Sequence, residues 1–320
     1  MQGMKRLLVG IAVGAGLVAL PVPARAAGAV PVLKSLVAYV RAGDIYVSKG
    51  ATEKRLTRDG GNSRPRWSPD GRQIAYVKKG RLWIMGADGT GGRRLSTRPA
   101  AGPSWSPDGK WVAFASLSCS GGPGVYRIPA TGGRLDVLFP RDCRGEDLPE
   151  ESAPAAPRTG SLTERLAGDD AVAWSPDGSR IAFRGGDCES VYDTCLSVGN
   201  VKSGDEETVA AYGGGGRQNR GFAVVPGWRA DGARLSWTAY QQGETTAENE
   251  PVHLVEYDTK THTKRTVGGA LDREMAYLDA THAVVTGPNG GGSWVLVVGL
   301  TGKERLPFHP GSQPSVQPVR

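Results

Sequence analysis

Pro65-Arg66-Trp67-Ser68-Pro69-Asp70-Gly71 is the stretch on which the fold turns. It returns as Pro103-Ser104-Trp105-Ser106-Pro107-Asp108-Gly109, and again as Ala173-Trp174-Ser175-Pro176-Asp177-Gly178. A worn copy reads Pro226-Gly227-Trp228-Arg229-Ala230-Asp231-Gly232, and a more worn one starts at Tyr277. Ser-Pro-Asp-Gly predicts a type I turn, because proline sets φ at its second position and glycine relaxes the exit. Short alternating strands follow the turns at residues 73–77, 111–114, 180–183 and 234–240. After the first of them come a strand over 81–85, a glycine-rich turn over 86–92 and a last strand over 93–96. Units of about 40–50 residues with four short antiparallel strands and a tryptophan signature are propeller blades.

The two ends of the chain complete the count. Residues 36–40, 44–47 and 54–57 read as three strands of a unit that lacks its first, turn-bearing strand. Gln313-Pro314-Ser315-Val316-Gln317-Pro318 aligns with Arg64-Pro65-Arg66-Trp67-Ser68-Pro69 and supplies it. A blade closed by strands from both termini leaves no open sheet edge. Anchors at residues 67, 105, 174, 228, 277 and 316 therefore predict an all-β chain, a six-bladed β-propeller of four-stranded antiparallel blades. It forms a single domain over residues 27–320.

On these motifs the chain resembles the TolB-like propellers, built from WD40-like PD40 repeats that carry W-S-P-D-G. The resemblance covers nearly all of residues 33–320. It implies the fold and says little of function, because one fold hosts many functions. The chain also departs from TolB, which resembles a two-domain protein with an α/β domain ahead of its propeller. Here only a few residues separate the leader from the first strand, so TolB's partners do not carry over.

Composition agrees with an all-β reading, since 47 Gly and 22 Pro disfavour helices. A mean hydropathy of −0.32 excludes a polytopic membrane protein, whose spans each need roughly 20 apolar residues. Eight Trp and regular apolar runs argue against disorder. Residues 1–26 read as a cleaved secretory signal peptide, with Lys5 and Arg6, an apolar run over 7–20 and Ala24-Arg25-Ala26 at the cut. Its removal lowers the 39 basic residues to 36 against 32 acidic ones, a net +4 spread along the chain. A nucleic-acid binder would show a concentrated basic stripe. The expected mature chain is exported, periplasmic or extracellular, monomeric, and without a transmembrane segment. Four Cys in such a chain suggest two disulfides, for which three pairings exist. Cys188 and Cys195 flank one short loop and are the favoured pair, which leaves Cys119 with Cys143.

Loop lengths point to a binding face. The first–second and third–fourth turns share one face and are short. The second–third and blade-to-blade loops share the other and vary widely. The longest is the Pro- and Ala-rich insert over 141–170, acidic at Glu146, Asp147, Glu150, Glu151, Asp169 and Asp170. Other long loops carry Asp187, Glu189, Arg217, Arg220, Glu244 and Glu248. Long loops on a rigid scaffold are where function concentrates.

Catalytic signatures are poor. No G-x-S-x-G elbow occurs, and Ser293 in Gly291-Gly292-Ser293-Trp294 precedes Val295. His253, His262, His282 and His309 stand outside any H-E-x-x-H pattern and read as surface or edge residues. A calcium site near Gly168-Asp169-Asp170 lacks EF-hand spacing. Asp70, Asp108, Asp177 and Asp231, with Gly71, Gly109, Gly178 and Gly232, read as turn formers. Four equivalent copies on four blades do not converge on one substrate. Trp67, Trp105, Trp174 and Trp228 read as packing between blades. The glycine run over 213–216 lacks the spacing of a phosphate cradle, although Arg217 and Arg220 beside it suit an acidic ligand. These features predict a non-catalytic scaffold, without cofactor or metal, that binds a protein or peptide at the long-loop face. The first alternative is a carbohydrate-active enzyme or lectin on the same face, with Asp187, Glu189, Glu244 and Glu248 as its acids. The second is a structural or assembly role.

Overall fold

The computed structural model describes residues 29–146, 160–186, 188, 194–214 and 219–318. The leader assigned to residues 1–26 lies outside them. Six four-stranded antiparallel sheets follow one another around a ring. Blade 1 contains β1 (Val37–Arg41), β2 (Asp44–Ser48) and β3 (Glu53–Arg55). Blade 2 is β4 (Asn62–Trp67), β5 (Gln73–Lys78), β6 (Arg81–Gly86) and β7 (Arg93–Pro99). Blade 3 is β8 (Ala101–Trp105), β9 (Trp111–Leu117), β10 (Pro123–Pro129) and β11 (Asp136–Phe139). A short helix α1 (Leu162–Ala167) precedes blade 4, which is β12 (Ala173–Trp174), β13 (Arg180–Arg184), β14 (Thr194–Asn200) and β15 (Glu206–Tyr212). Blade 5 is β16 (Arg220–Trp228), β17 (Arg234–Gln242), β18 (Glu250–Asp258) and β19 (Lys264–Val267). Blade 6 is β20 (Arg273–Tyr277), β21 (His282–Asn289), β22 (Gly292–Gly299) and β23 (Arg305–Pro310). The chain then returns to blade 1, where β24 (Ser312–Val316) pairs with β1 and sets Val37 opposite Val316. The ring is thus closed by strands from both ends of the chain.

The repeated motif does its work through hydrogen bonds. In blades 2, 3 and 4 the Ser hydroxyl donates to the Asp of the same turn, at 2.6, 2.6 and 2.5 Å. The same hydroxyl accepts the amide five residues on, at 2.9 Å each time. Gly71, Gly109 and Gly178 take φ of 67°, 70° and 77°, a region open to glycine and strained for other residues. In blade 5, Arg229 replaces the serine and its guanidinium holds Asp231 instead. In blade 6, Asp279 accepts the amides of Thr281 and His282.

The tryptophans stitch blade to blade. The Trp67 indole donates to the Ser315 carbonyl, Trp105 to Arg66 and Trp228 to Ala173, at 3.2, 3.0 and 3.1 Å. Each acceptor lies one residue before the anchor of the preceding blade. Trp174 departs from this rule: its indole bonds to Gly178 within its own turn, and its amide donates to the Ser104 hydroxyl. The core is a set of apolar layers between neighbouring blades. Ile74 and Trp67 pack with Ile45, Phe114 with Leu82, Phe183 with Phe139, and Trp237 with Leu196. Val285 packs with Leu254, and Tyr39 with Val295. Burying one such side chain contributes about 1.5–3 kcal/mol.

Strand pairing extends far into the regions of residues 211–221, 241–251 and 287–292, which read as loops by sequence. β16 and β17 stay paired out to Arg220 opposite Gln242, and β21 and β22 are joined by Gly290 and Gly291 alone. Both of these glycines have positive φ, 57° and 83°, which suits a two-residue hairpin turn.

Candidate functional site

The first strands of the six blades surround the axis. The ladder slips between Ser63 and Arg66, Ala101 and Ser104, Val224 and Gly227, and Arg273 and Ala276. Such bulges re-aim the chain. Three residues before the anchors stand Arg64, Gly102, Ala171, Val225, Glu274 and Gln313. Four of these, Arg64, Val225, Glu274 and Gln313, have φ between 53° and 59°.

Here the blades meet. Arg64 is paired with Glu274 at 3.0 Å and with Asp169, to which its Nε donates at 2.9 Å. Its side chain is 2% exposed, against 21% for Asp169 and 5% for Glu274. The Arg64 amide donates to the Gln313 side-chain oxygen at 2.8 Å. The Gln313 amide and the Thr286 hydroxyl donate to Glu274 Oε2 at 2.9 and 2.6 Å. Blades 2, 4, 6 and 1 are thereby tied together across the axis, on the side of the long loops.

Asp169 reaches this point by a defined route. Ser161 caps α1, with Glu164 returning the bond to the Ser161 amide. Leu166 is buried against Phe222, Val224, Val225 and Val252 of blade 5. The Asp169 amide then donates to the Leu166 carbonyl, and Val172 donates to the Gly102 carbonyl at 3.0 Å. A Cβ on Gly102 would lie 2.1 Å from that of Ala171, so only glycine permits this approach. Asp170 pairs with Arg184 at 2.6 Å.

Burial by itself pushes the Glu274 carboxyl up, but the charges of Arg64 and Arg273 and the donors Thr286 and Gln313 outweigh it and hold the group below its usual range. For Asp169 burial wins over Arg64, and its carboxyl is raised. Arg66, half-buried beside Arg64, is pushed down to about 10 by burial and by the Arg64 charge. Among the described residues Arg64 Nη1 has no hydrogen-bond partner. The cluster is a lock in which one guanidinium, Arg64, faces two carboxylates, Asp169 and Glu274.

The sequence-derived candidates fall into separate groups. Arg220, Glu244 and Glu248 are exposed at one end of blade 5. Glu248 accepts the Thr245 amide at 3.2 Å. Beside them is a cleft of about 320 Å³ walled by Tyr212, Gly213, Gln241 and Glu250. The Gln241 side chain accepts from the Gly213 amide and donates to the Gly213 carbonyl, at 2.8 and 2.9 Å, and so pins that wall. Glu146 stands apart, exposed in a groove on the perimeter between blades 3 and 4. Asp147, Glu150, Glu151, Asp187, Glu189 and Arg217 lie outside the described residues. Disulfides join Cys119 to Cys143 and Cys188 to Cys195.

Asp169 and Asp170, weighed as calcium ligands, are engaged by Arg64 and Arg184 instead. Among the described residues no three His, Cys, Asp or Glu side chains gather as a metal site requires. His309 is a buried core residue rather than an edge one. It stacks on Tyr39, and its Nε2 lies 2.8 Å from the Gly50 carbonyl, because β23 packs against the start of blade 1. Arg64, Glu274 and Gln313 escaped the sequence reading. Their signal is a charged or polar residue three places before the anchor, a column in which the other blades place Gly, Ala and Val.

No family model matches the chain, and no curated protein matches it. Solved structures do match. TolB from Acinetobacter baumannii superposes with a TM-score of 0.65 at 17% identity, over 91% of this chain and 69% of that one. The fold is the six-bladed propeller of TolB. A structure described as TolB from Agrobacterium tumefaciens gives 0.58 at 15% identity, over 87% and 91% of the two chains. An oligogalacturonate lyase in complex with manganese gives 0.50 at 15% identity, over 83% and 70%. The TolB-like propeller is therefore a scaffold shared by proteins of different activity.

Proposed function

We propose that the chain is an exported, non-catalytic propeller that binds a protein or peptide partner on its long-loop face, around the ends of β16, β17 and β18. The observation that carries this reading is the axial lock. The buried acids at the centre of that face are bound to Arg64, so what it offers a ligand is its surface. On that surface Arg220, Glu244 and Glu248 are exposed beside the Gln241 cleft. Rigid strands carrying charged loops suit partner recognition. Two disulfides, one between Cys119 and Cys143 and one between Cys188 and Cys195, fit a chain that folds outside the reducing cytosol.

The test is capture on the intact, disulfide-bonded chain from the producer's envelope and secreted material, beside the double variant Arg220→Glu/Glu244→Lys. One protein recovered by the parent and lost by the variant supports the reading. Equal recovery by both moves the site off blade 5. Turnover of an acidic glycan by the parent favours the lyase alternative, for which the shared fold is the one supporting observation.

A further inference from the structure

We propose that the perimeter groove between blades 3 and 4 binds a small polyanion, a molecule bearing two or more phosphate or carboxylate groups. The groove has a volume of about 780 Å³, within the range of roughly 300–1,000 Å³ typical of ligand pockets. Its walls are β11, the first–second turn of blade 4 at Gly178 and Ser179, and the third–fourth turn at Asn200 to Lys202. It therefore opens on the short-turn side, away from the ends of β16, β17 and β18.

Charge in the groove is unbalanced. Arg127, Arg134, Arg144 and Lys202 line it against Asp136 and Glu146. Asp136 is taken, because it pairs with Arg127 at 3.2 Å while that guanidinium stacks on Trp111 at 4.4 Å. Arg141 nearby is paired with Asp205 at 3.6 Å. Arg134, Arg144 and Lys202 have no ion-pair partner among the described residues, and Glu146 is the one acid left in the wall.

Arg144 is the anchor of the site. Its Nε and Nη2 donate to the Leu138 carbonyl at 3.1 and 2.9 Å, and longer bonds run to the carbonyls of Val201 and Lys202. Gly204, with φ of 82°, lets the guanidinium approach the backbone closely, for a Cβ there would sit 3.0 Å from it. The group is thus fixed in place across two blades by neutral carbonyl acceptors, with Glu206 acting on it through its charge. Burial, followed by the charges of Arg141 and Arg127, lowers its pKa against the opposing charge of Glu206. A half-buried cation held in place gains from an anion that completes its hydrogen bonds. The lining holds no aromatic ring, so recognition rests on charge rather than on sugar stacking.

The experiment is calorimetric titration of the full, disulfide-bonded chain with pyrophosphate and, separately, with citrate. The two probes distinguish a phosphate ligand from a carboxylate one. Saturable one-to-one binding of at least one probe is expected. Arg144→Gln should weaken it tenfold or more, as should the double variant Arg134→Gln/Lys202→Gln. The double variant changes two exposed side chains and should keep the parent's urea midpoint; with that midpoint kept, its loss of binding reports on the groove and not on folding. Failure of both probes to bind overturns the proposal, as does binding that the double variant leaves unchanged. Neither result bears on the blade 5 face.

Discussion

Arg64→Met tests whether the axial lock holds the ring together. The substitution keeps an unbranched stem and removes the guanidinium. It leaves Glu274, 5% exposed, and Asp169, 21% exposed, without their cation. Removing one member of a buried ion pair costs about 3–5 kcal/mol. Glu274 keeps its bonds from Thr286 and Gln313, which places the expected loss near about 3 kcal/mol. Urea unfolding at pH 7 measures it directly, as a lower midpoint with little change in slope. The triple variant Arg64→Met/Asp169→Asn/Glu274→Gln removes all three charges and should recover at least half of the loss. The pH dependence has a definite sign. In Arg64→Met the Asp169 carboxyl, already raised, moves further up, and Glu274, left with Arg273 as its main cation, rises as burial gains on the charges that held it down. The penalty is then full at neutral pH and fades as pH falls through those raised values, down to about 4. A loss below about 1 kcal/mol, or a triple variant as unstable as the sum of its parts, would refute the lock.

Further outcomes follow from other contacts. Gly102→Ala places a methyl 2.1 Å from Ala171 Cβ, and it should cost about 1–3 kcal/mol in chemical denaturation as β8 and residue 171 part. Leu166→Ala empties the seat of α1 and should cost about 2–5 kcal/mol by the same assay, with Asp169 drawn away from Arg64. Ser175→Ala removes a buried hydroxyl that serves both Asp177 and the Arg180 amide, a loss of about 1–2 kcal/mol at pH 7. The Ser175 bond is the chief reason that Asp177 is held down at about 2. Its stabilisation is present above the unfolded value near 4 and disappears as pH falls to about 2, so the gap between parent and variant should narrow over that window to the part that the Arg180 amide bond contributes. Cys119→Ser/Cys143→Ser opens a loop with a sequence separation of 24 and should lower unfolding free energy by about 3.5 kcal/mol. The Cys188–Cys195 bridge, with a separation of 7, should be worth about 2.5 kcal/mol.

The blades were legible because they are local. Ser175, Asp177, Gly178 and Arg180 complete their hydrogen bonds within six residues, so each copy of the motif announces one turn and the strand after it. The closure of blade 1 was legible for a related reason. Residues 313–318 repeat the register of residues 64–69, and Gln313 and Arg64 do share the same positive-φ conformation, 59° and 53°. The candidate site was legible only in part. Arg220, Glu244 and Glu248 stand together because adjacent strands of one blade carry them. Glu146 was grouped with them by loop length, yet the chain after β11 turns along the perimeter, where Arg144 bonds to the carbonyls of blade 4.

Blade number, blade order and turn chemistry were written in the linear repeat, since each rests on contacts between residues a few places apart. The axial lock and the cationic groove were not. Arg64 and Glu274 are 210 positions apart, and no local pattern states that a closed ring brings their charged groups to 3.0 Å. Arg144 meets Val201 for the same reason. Ring closure converts distant positions in sequence into neighbours, and it is there that charges find partners or are left without them.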